Sequence, residues 1–255
     1  CGISAEGGVK YWTPAGGDGV SWADINNWNP VGVPTGPLDE VKIVGYSTDT
    51  WPTISDARTI LRITMADPAA TSEDPFQPTS MTIASTGALD FGTSVFGFRI
   101  VNPLGTDVYS SGTVNLMAGS GGTIKGQTIL GNDSTVPGGY GKLTINGGLW
   151  KTYQVNLNNL VPNKVSEITL NDGTLYIENT FYNVTGYKGG VNISSAANAK
   201  IDHMYKATTG YQDSGLIIAD SGWGTVIQTQ ESGRTIYTAR AYDPETDIVH
   251  IGGVG

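Results

Sequence analysis

Enzymes need a nucleophile, a base or a bound metal, and the residue types that most often supply them are scarce in this chain: two histidines, His203 and His250, and a single cysteine, Cys1. Asp202-His203 sets a carboxylate beside an imidazole in sequence, but neighbours along a strand point to opposite faces and would not form an orienting pair. No Gly-x-Ser-x-Gly elbow, His-Glu-x-x-His pair or Gly-x-x-x-x-Gly-Lys loop occurs. The arginines, Arg58, Arg62, Arg99, Arg234 and Arg240, are scattered, and there is no Asp-Asp pair or Asp-x-Asp triplet. No catalytic residue is assigned. One cysteine excludes an intrachain disulfide and any thiolate-built zinc or iron–sulfur site. Oxygen ligands remain: Asp18, Asp24 and Asn26 share one turn-rich segment, and Asn132-Asp133 and Asn171-Asp172 fall at corners. Calcium is the cofactor such groups suggest. No calcium-loop spacing is met, however, and the preferred reading is of side chains that cap turns and tolerate left-handed backbone. The remaining chemistry is aromatic: Trp150, Tyr153, Tyr176, Phe181, Tyr182 and Tyr187 crowd one span, and Trp150, Tyr153, Tyr176 and Tyr182 are taken as candidate contacts for a glycan or a second subunit.

The elements that position these groups follow from composition. Of 255 residues 36 are Gly, about twice the usual share, and only 15% are charged. Thr, Ser, Asn and Asp take the place of the Ala, Leu, Glu and Lys that build helices, so many short strands and turns are expected. The net charge of −9 repels nucleic acid and anionic membrane surfaces, and nucleic acid is excluded as a partner. No stretch approaches 18 apolar residues, so no membrane-spanning helix is expected.

A short alternating triplet recurs: Val41-Lys42-Ile43, Leu61-Arg62-Ile63, Met81-Thr82-Ile83, Val114-Asn115-Leu116, Leu143-Thr144-Ile145, Ile168-Thr169-Leu170, Val191-Asn192-Ile193 and Leu216-Ile217-Ile218. Successive starts are separated by 20, 20, 33, 29, 25, 23 and 25 residues. Several triplets run into a Gly or Asn-Asp-Gly corner and a second strand, as in Leu143 to Leu149 and Ile168 to Ile177. A triplet, a corner and another strand make one turn of a coil whose apolar face is buried only by stacking on the next. The fold class expected is all-β, a single-stranded parallel β-helix; a β-sandwich, which also alternates short strands with turns, is the competing fold. It is divided as one domain over 1–255, with a cap at 1–40, coils over 41–226 and C-terminal strands over 227–255. Residues 66–80, with three prolines, read as a loop ejected from a coil, and residues 195–207 as either a short helix or a strand burying Ile201.

Trp12, Trp22 and Trp28 lie within seventeen residues among turn formers, a pattern suited to covering the open end of a solenoid core. The order Trp12, Gly16-Gly17-Asp18-Gly19, Trp22, Asn26-Asn27-Trp28, Pro30, then Glu40-Val41-Lys42-Ile43, resembles the opening of large secreted or surface-anchored bacterial β-helix proteins, including autotransporter-like passengers. Their coils take the form Leu-Thr-Ile-x-Gly-Gly-x-Leu, which Leu143 to Leu149 matches. The resemblance implies export and a right-handed coil. It leaves activity open between adhesins, structural surface proteins and polysaccharide-degrading enzymes. Cys1-Gly2 resembles the start of a mature bacterial lipoprotein, which implies a lipid anchor on Cys1; a free thiol at a processing boundary is the alternative.

Solenoid ends carry unpaired strand edges. The run from Asp247 to Gly255 has neither Pro nor Lys, so Ile248, Val249, His250, Ile251 and Val254 are the expected assembly strand. The function expected is an extracellular structural or adhesive surface component that joins copies of itself into a filament or layer. The alternatives are a polysaccharide lyase or glycoside hydrolase with Asp and Arg stacked on one face, and a non-catalytic polysaccharide-binding module.

Overall fold

A computed structural model describes residues 7–13, 16–43, 50–65, 79–92, 97–100, 111–116, 121–123, 126–131, 140–158, 166–183, 190–196, 198–203 and 215–247. The chain folds as an all-β solenoid of stacked parallel strands with almost no helix. Its strands fall into three parallel sheets that the chain visits in turn. Sheet I stacks Val9–Trp12, Glu40–Ile43, Arg62–Met65, Phe98–Ile100, Gln127–Gly131, residues 154–158 and residues 180–183. Sheet II stacks Thr53–Ile54, Thr79–Ile83, Ser111–Leu116, residues 140–145, residues 167–170, Val191–Ile193 and Ile217–Ala219. Sheet III stacks Ala57–Thr59, Ala88–Asp90, Gly121–Thr123, residues 149–151, residues 174–177 and Lys200–His203.

The triplets are the strands of sheet II from Met81 to Val191, where the register pairs Met81, Val114, Leu143, Ile168 and Val191 as expected. Two corrections concern the ends of the series. The first two triplets fall on sheet I, where Val41 pairs with Ile63 and not with Leu61, so the first coil is two residues longer than the triplet spacing suggested. At the other end Val191 pairs with Ile217 rather than Leu216. An apolar residue directly before a strand imitates its first inward position, which is how Leu61 and Leu216 misled the register.

Alternation sends every second side chain inward. On sheet II Met81 and Ile83, Leu143 and Ile145, Ile168 and Leu170, and Val191 and Ile193 are buried in file; Val41, Ile43, Ile63, Met65, Val155 and Leu157 do the same on sheet I. Each such side chain contributes roughly 2 kcal/mol from removal of apolar surface from water. Corners between sheets II and III use glycine where the chain reverses. Gly148 has φ 75° and Gly173 φ 82°. A Cβ on Gly173 would stand 2.5 Å from the Gly148 carbonyl oxygen, so the stacked corners leave room for a hydrogen only.

The three N-terminal tryptophans are buried together. Trp28 meets Trp12 and Trp22 edge to face, with ring centroids 5.1 and 4.6 Å apart. Each indole N–H donates to a carbonyl: Trp12 to Thr50 at 3.2 Å, Trp22 to Pro34 at 3.3 Å and Trp28 to Trp22 at 2.9 Å. The segment forms a layer ahead of the first coil, because Val9–Tyr11 pairs with Glu40–Lys42 in parallel and Ser21 bridges to Thr53. On its far side Trp28–Asn29 runs antiparallel to Tyr11-Trp12.

At the other end the parallel ladder also stops on antiparallel strands. Thr225–Glu231 and Arg234–Arg240 form a hairpin, and its second strand pairs antiparallel with Lys200–His203. The coils therefore give way to C-terminal strands at residues 220–224, not at 227. Residues 195–207 contain a strand, Lys200–His203, with Ile201 buried. Residues 66–78 and the assembly residues Ile248, Val249, His250, Ile251 and Val254 lie outside the described residues, as does Cys1.

Candidate functional site

The outward side of sheet III carries a ridge built by register alone. Lys151 pairs with Tyr176 and Tyr176 with Asp202 on successive coils, so the three side chains stand in one column. Lys151 Nζ donates to Glu178 at 2.7 Å, and this bond raises its pKa above the ordinary lysine value. Arg234, from the hairpin, donates Nε to Asp202 Oδ1 at 2.8 Å and a second N–H to Oδ2. Tyr176 is held between the cations, 5.3 Å from Lys151 Nζ and 5.1 Å from the Arg234 guanidinium carbon. The ridge thus bolts the hairpin to the coils, and its charges are neutralised within it.

This geometry corrects two of the expected contact residues. Trp150 is 0% exposed: its ring meets Phe98 edge to face at 5.3 Å and its indole N–H donates to Thr128 Oγ1 at 3.2 Å. Gly122 on the coil below leaves the space it occupies, since a Cβ there would lie 3.3 Å from the ring. Trp150 is therefore a core residue with no face for a ligand. Tyr176 has a cation near its ring from each of two neighbours, which leaves little of it for sugar stacking. Tyr153 stays available at 43% exposure, whereas the side chain of Tyr182, like Tyr187, is outside the described residues.

The rare chemical groups are spread apart. Asp202 turns outward to Arg234, while His203 is buried with Nε2 2.6 Å from the Asn179 carbonyl oxygen, so the two diverge as strand neighbours must. His250 lies outside the described residues. Arg58 binds Asp56, Arg62 binds Glu40 and Arg240 binds Asp247, each at 2.5 Å. Among the described residues no three His, Cys, Asp or Glu side chains gather around a common point. Of the groups considered for calcium, Asp18, Asp24 and Asp172 accept from nearby backbone N–H groups, and Asn171 donates to Asn146 Oδ1 at 2.8 Å. Asp18 Oδ1 accepts from Val20 N, Ser21 N and Asn27 Nδ2, at 2.9, 2.8 and 2.7 Å, and these bonds hold its carboxyl below the usual range. Asp24 accepts from the backbone of Asp18 and Asn26, and Asp172 from that of Gly173. Asn132-Asp133 lies outside the described residues.

Among the described residues, most of the exposed large apolar side chains lie at the ends. Val9, Val20, Ile25, Val31 and Leu38 are exposed in the N-terminal layer, and Trp223, Ile227 and Tyr242 around the hairpin; among the described coil residues, Leu149 and Tyr153 are exposed as well. Trp223, at 80%, is the extreme case. It follows a turn in which Asp220, Ser221 and Gly222 have φ of 47°, 57° and 94°, and non-glycine residues occupy such backbone only when neighbours hold them there. The neighbours belong to the preceding coil. Ser195 donates N–H and O–H to the Asp220 carboxylate at 3.0 and 2.5 Å, and Asn192 Oδ1 accepts from Ser221 N at 2.8 Å while its amide donates to Ser221 Oγ at 3.2 Å. An open groove of about 320 Å³, lined by Ile217, Ala219, Gly224 and Val226 among others, lies alongside. Neither the turn nor the hairpin was singled out from the sequence.

The fold and these surfaces define the class as a β-solenoid. No family model, no curated protein and no solved structure matches this chain.

Proposed function

We propose that this protein is a non-catalytic structural component of the bacterial cell exterior that works by joining its ends to other copies of itself. The observation that carries the proposal is the placement of exposed apolar side chains at both ends of the solenoid, led by Trp223 on its clamped turn. Large aromatic residues held outward on rigid backbone are the side chains that dominate protein interfaces. The secreted, surface-anchored setting and the lipid on Cys1 enter through the family-like opening and the Cys1-Gly2 start, and belong to the proposal. So does the reading of Trp12, Trp22 and Trp28 as a cap.

Sedimentation velocity over a wide concentration range, with negative-stain microscopy of the same samples, tests the proposal. Concentration-dependent oligomers or filaments are expected. Trp223→Ala should weaken them by about 2 kcal/mol or more while thermal unfolding stays unchanged. A monomer near 26.8 kDa at every concentration would sink the self-association reading. The second reading, a polysaccharide-binding module, draws on the open ring of Tyr153; it predicts retention on an immobilised glycan that Tyr153→Ala abolishes.

A further inference from the structure

We infer that the outer strand of the C-terminal hairpin, Thr225–Glu231, is a homotypic pairing edge on which a second copy of this chain docks the same strand, antiparallel, about a two-fold axis at Gln228. The inference rests on the self-association reading and names the surface and symmetry that reading leaves open.

The hairpin turn closes on Glu231 and Arg234, with Ser232 and Gly233 both left-handed at φ 51° and 81°, as a type I′ turn requires. Hydrogen-bonded and non-bonded pairs alternate from that closing pair. Glu231, Thr229, Ile227 and Thr225 therefore direct their backbone groups to Arg234–Arg240, and Gln230, Gln228 and Val226 direct theirs to the outer edge. Among the described residues no strand pairs with that edge. It is seven residues long, pairs with its partner strand without a register shift, and contains no Pro and no Lys. Proline, lysine, a bulge and short length are devices by which natural sheets guard exposed edges, and among the described residues this strand uses none of them.

A second copy fits the edge by its own sequence. Antiparallel pairing about Gln228 sets Gln228 against itself, Ile227 against Thr229 and Val226 against Gln230. The one charge of the strand, Glu231, then meets Thr225 of the second copy, whose side chain is bonded to an Asp247 already neutralised by Arg240. Gln228 at the axis has a carboxamide oxygen that is shielded from water and has no donor. Leaving that position costs the side chain no hydrogen bond, and two Gln228 carboxamides swung out to the edge can donate to each other reciprocally. The same register carries Trp223 towards the Ser232-Gly233 turn of the second copy, where Gly233 has open space beside its α-carbon.

The test uses the full chain. In a Cys1→Ser background, Gln228→Cys places two thiols on the axis, where the Cα separation of a bonded antiparallel pair, about 5.5 Å, suits a disulfide. Mild oxidation should convert most of the protein to a covalent dimer, and Lys200→Cys, on an exposed site away from the edge, should not. Gln230→Pro removes only an outward N–H and should weaken association about tenfold or more with the fold retained. Should that variant unfold, Gln228→Glu serves instead: facing carboxylates should split the pair at pH 7 and let it re-form near pH 4. Oligomers that persist with neither crosslinking at 228 nor sensitivity to these changes would overturn the edge while leaving self-association standing. A Gln228→Cys protein that stays monomeric, with its thiol either reactive or covered by the chain's own residues, overturns the inference as well.

Discussion

The two ends of this solenoid solve one problem in different ways. A stack of parallel strands has a bare edge at each end, and here each is met by antiparallel strand, Trp28–Asn29 at the start and Thr225–Arg240 at the finish. The N-terminal closure adds a two-residue strand and buries three indoles whose N–H groups are all satisfied. The C-terminal closure adds a seven-residue strand, leaves its outer side open and exposes an indole beside it. Closing a core and closing a hydrogen-bond ladder are thus separable tasks. Among the described residues neither added strand has a partner on its outer side, but the first offers two residues of edge and the second seven.

The contrast can be broken most forcefully at the start. Trp28→Ala removes the ring that touches both other tryptophans and should cost about 4 kcal/mol, read as a large fall in the denaturation midpoint. A loss under 1 kcal/mol would mean that the N-terminal layer is not part of the cooperative unit. At the finish, the corresponding fastener is the Arg234–Asp202 pair, which is partly exposed, so Arg234→Ala should cost only about 1 kcal/mol. Hydrogen exchange should place that loss in the hairpin, with sheet II unaffected. Acid gives the smallest and most diagnostic change. Asp18 at one end, held low by the N–H groups of Val20 and Ser21, and Asp247 at the other, held low chiefly by Arg240, both have lowered carboxyl pKa values. Their stabilisation is present above the ordinary carboxylate range near pH 4 and is lost as pH falls through the lowered values. Amide exchange at pH 2 to 3 should therefore speed up at both ends before the coils.

How much of this was legible beforehand depends on where the chain bends. Within sheet II, period-2 alternation and glycine corners gave the register from Met81 to Val191, though the strands start earlier, at Thr79 and Ser111 for example, so that Thr79 and Ser80 belong to a strand and not to the loop expected over 66–80. Across a corner the parity is lost: Ile145 and Trp150 both face inward although five positions separate them, because the register shifts at Asn146 and again before Leu149. That reset is why Trp150 passed for a surface aromatic. The hairpin had its own signal, a Ser-Gly pair between two β-rich runs, but Ser-Gly is a weaker turn marker than Asn-Gly and was not weighed. The ridge of Lys151, Tyr176 and Asp202 joins residues a coil apart, and only the register could gather them.

The placement of the tryptophans also gives the molecule an optical asymmetry. Trp12, Trp22, Trp28 and Trp150 are sealed in the core, Trp51 is half-buried against it, and Trp223 stands in water. A water-borne collisional quencher such as iodide reaches Trp223 far more readily than those four rings. Fluorescence can therefore follow what happens at one end of an unlabelled chain, and the C-terminal tip carries its own dye.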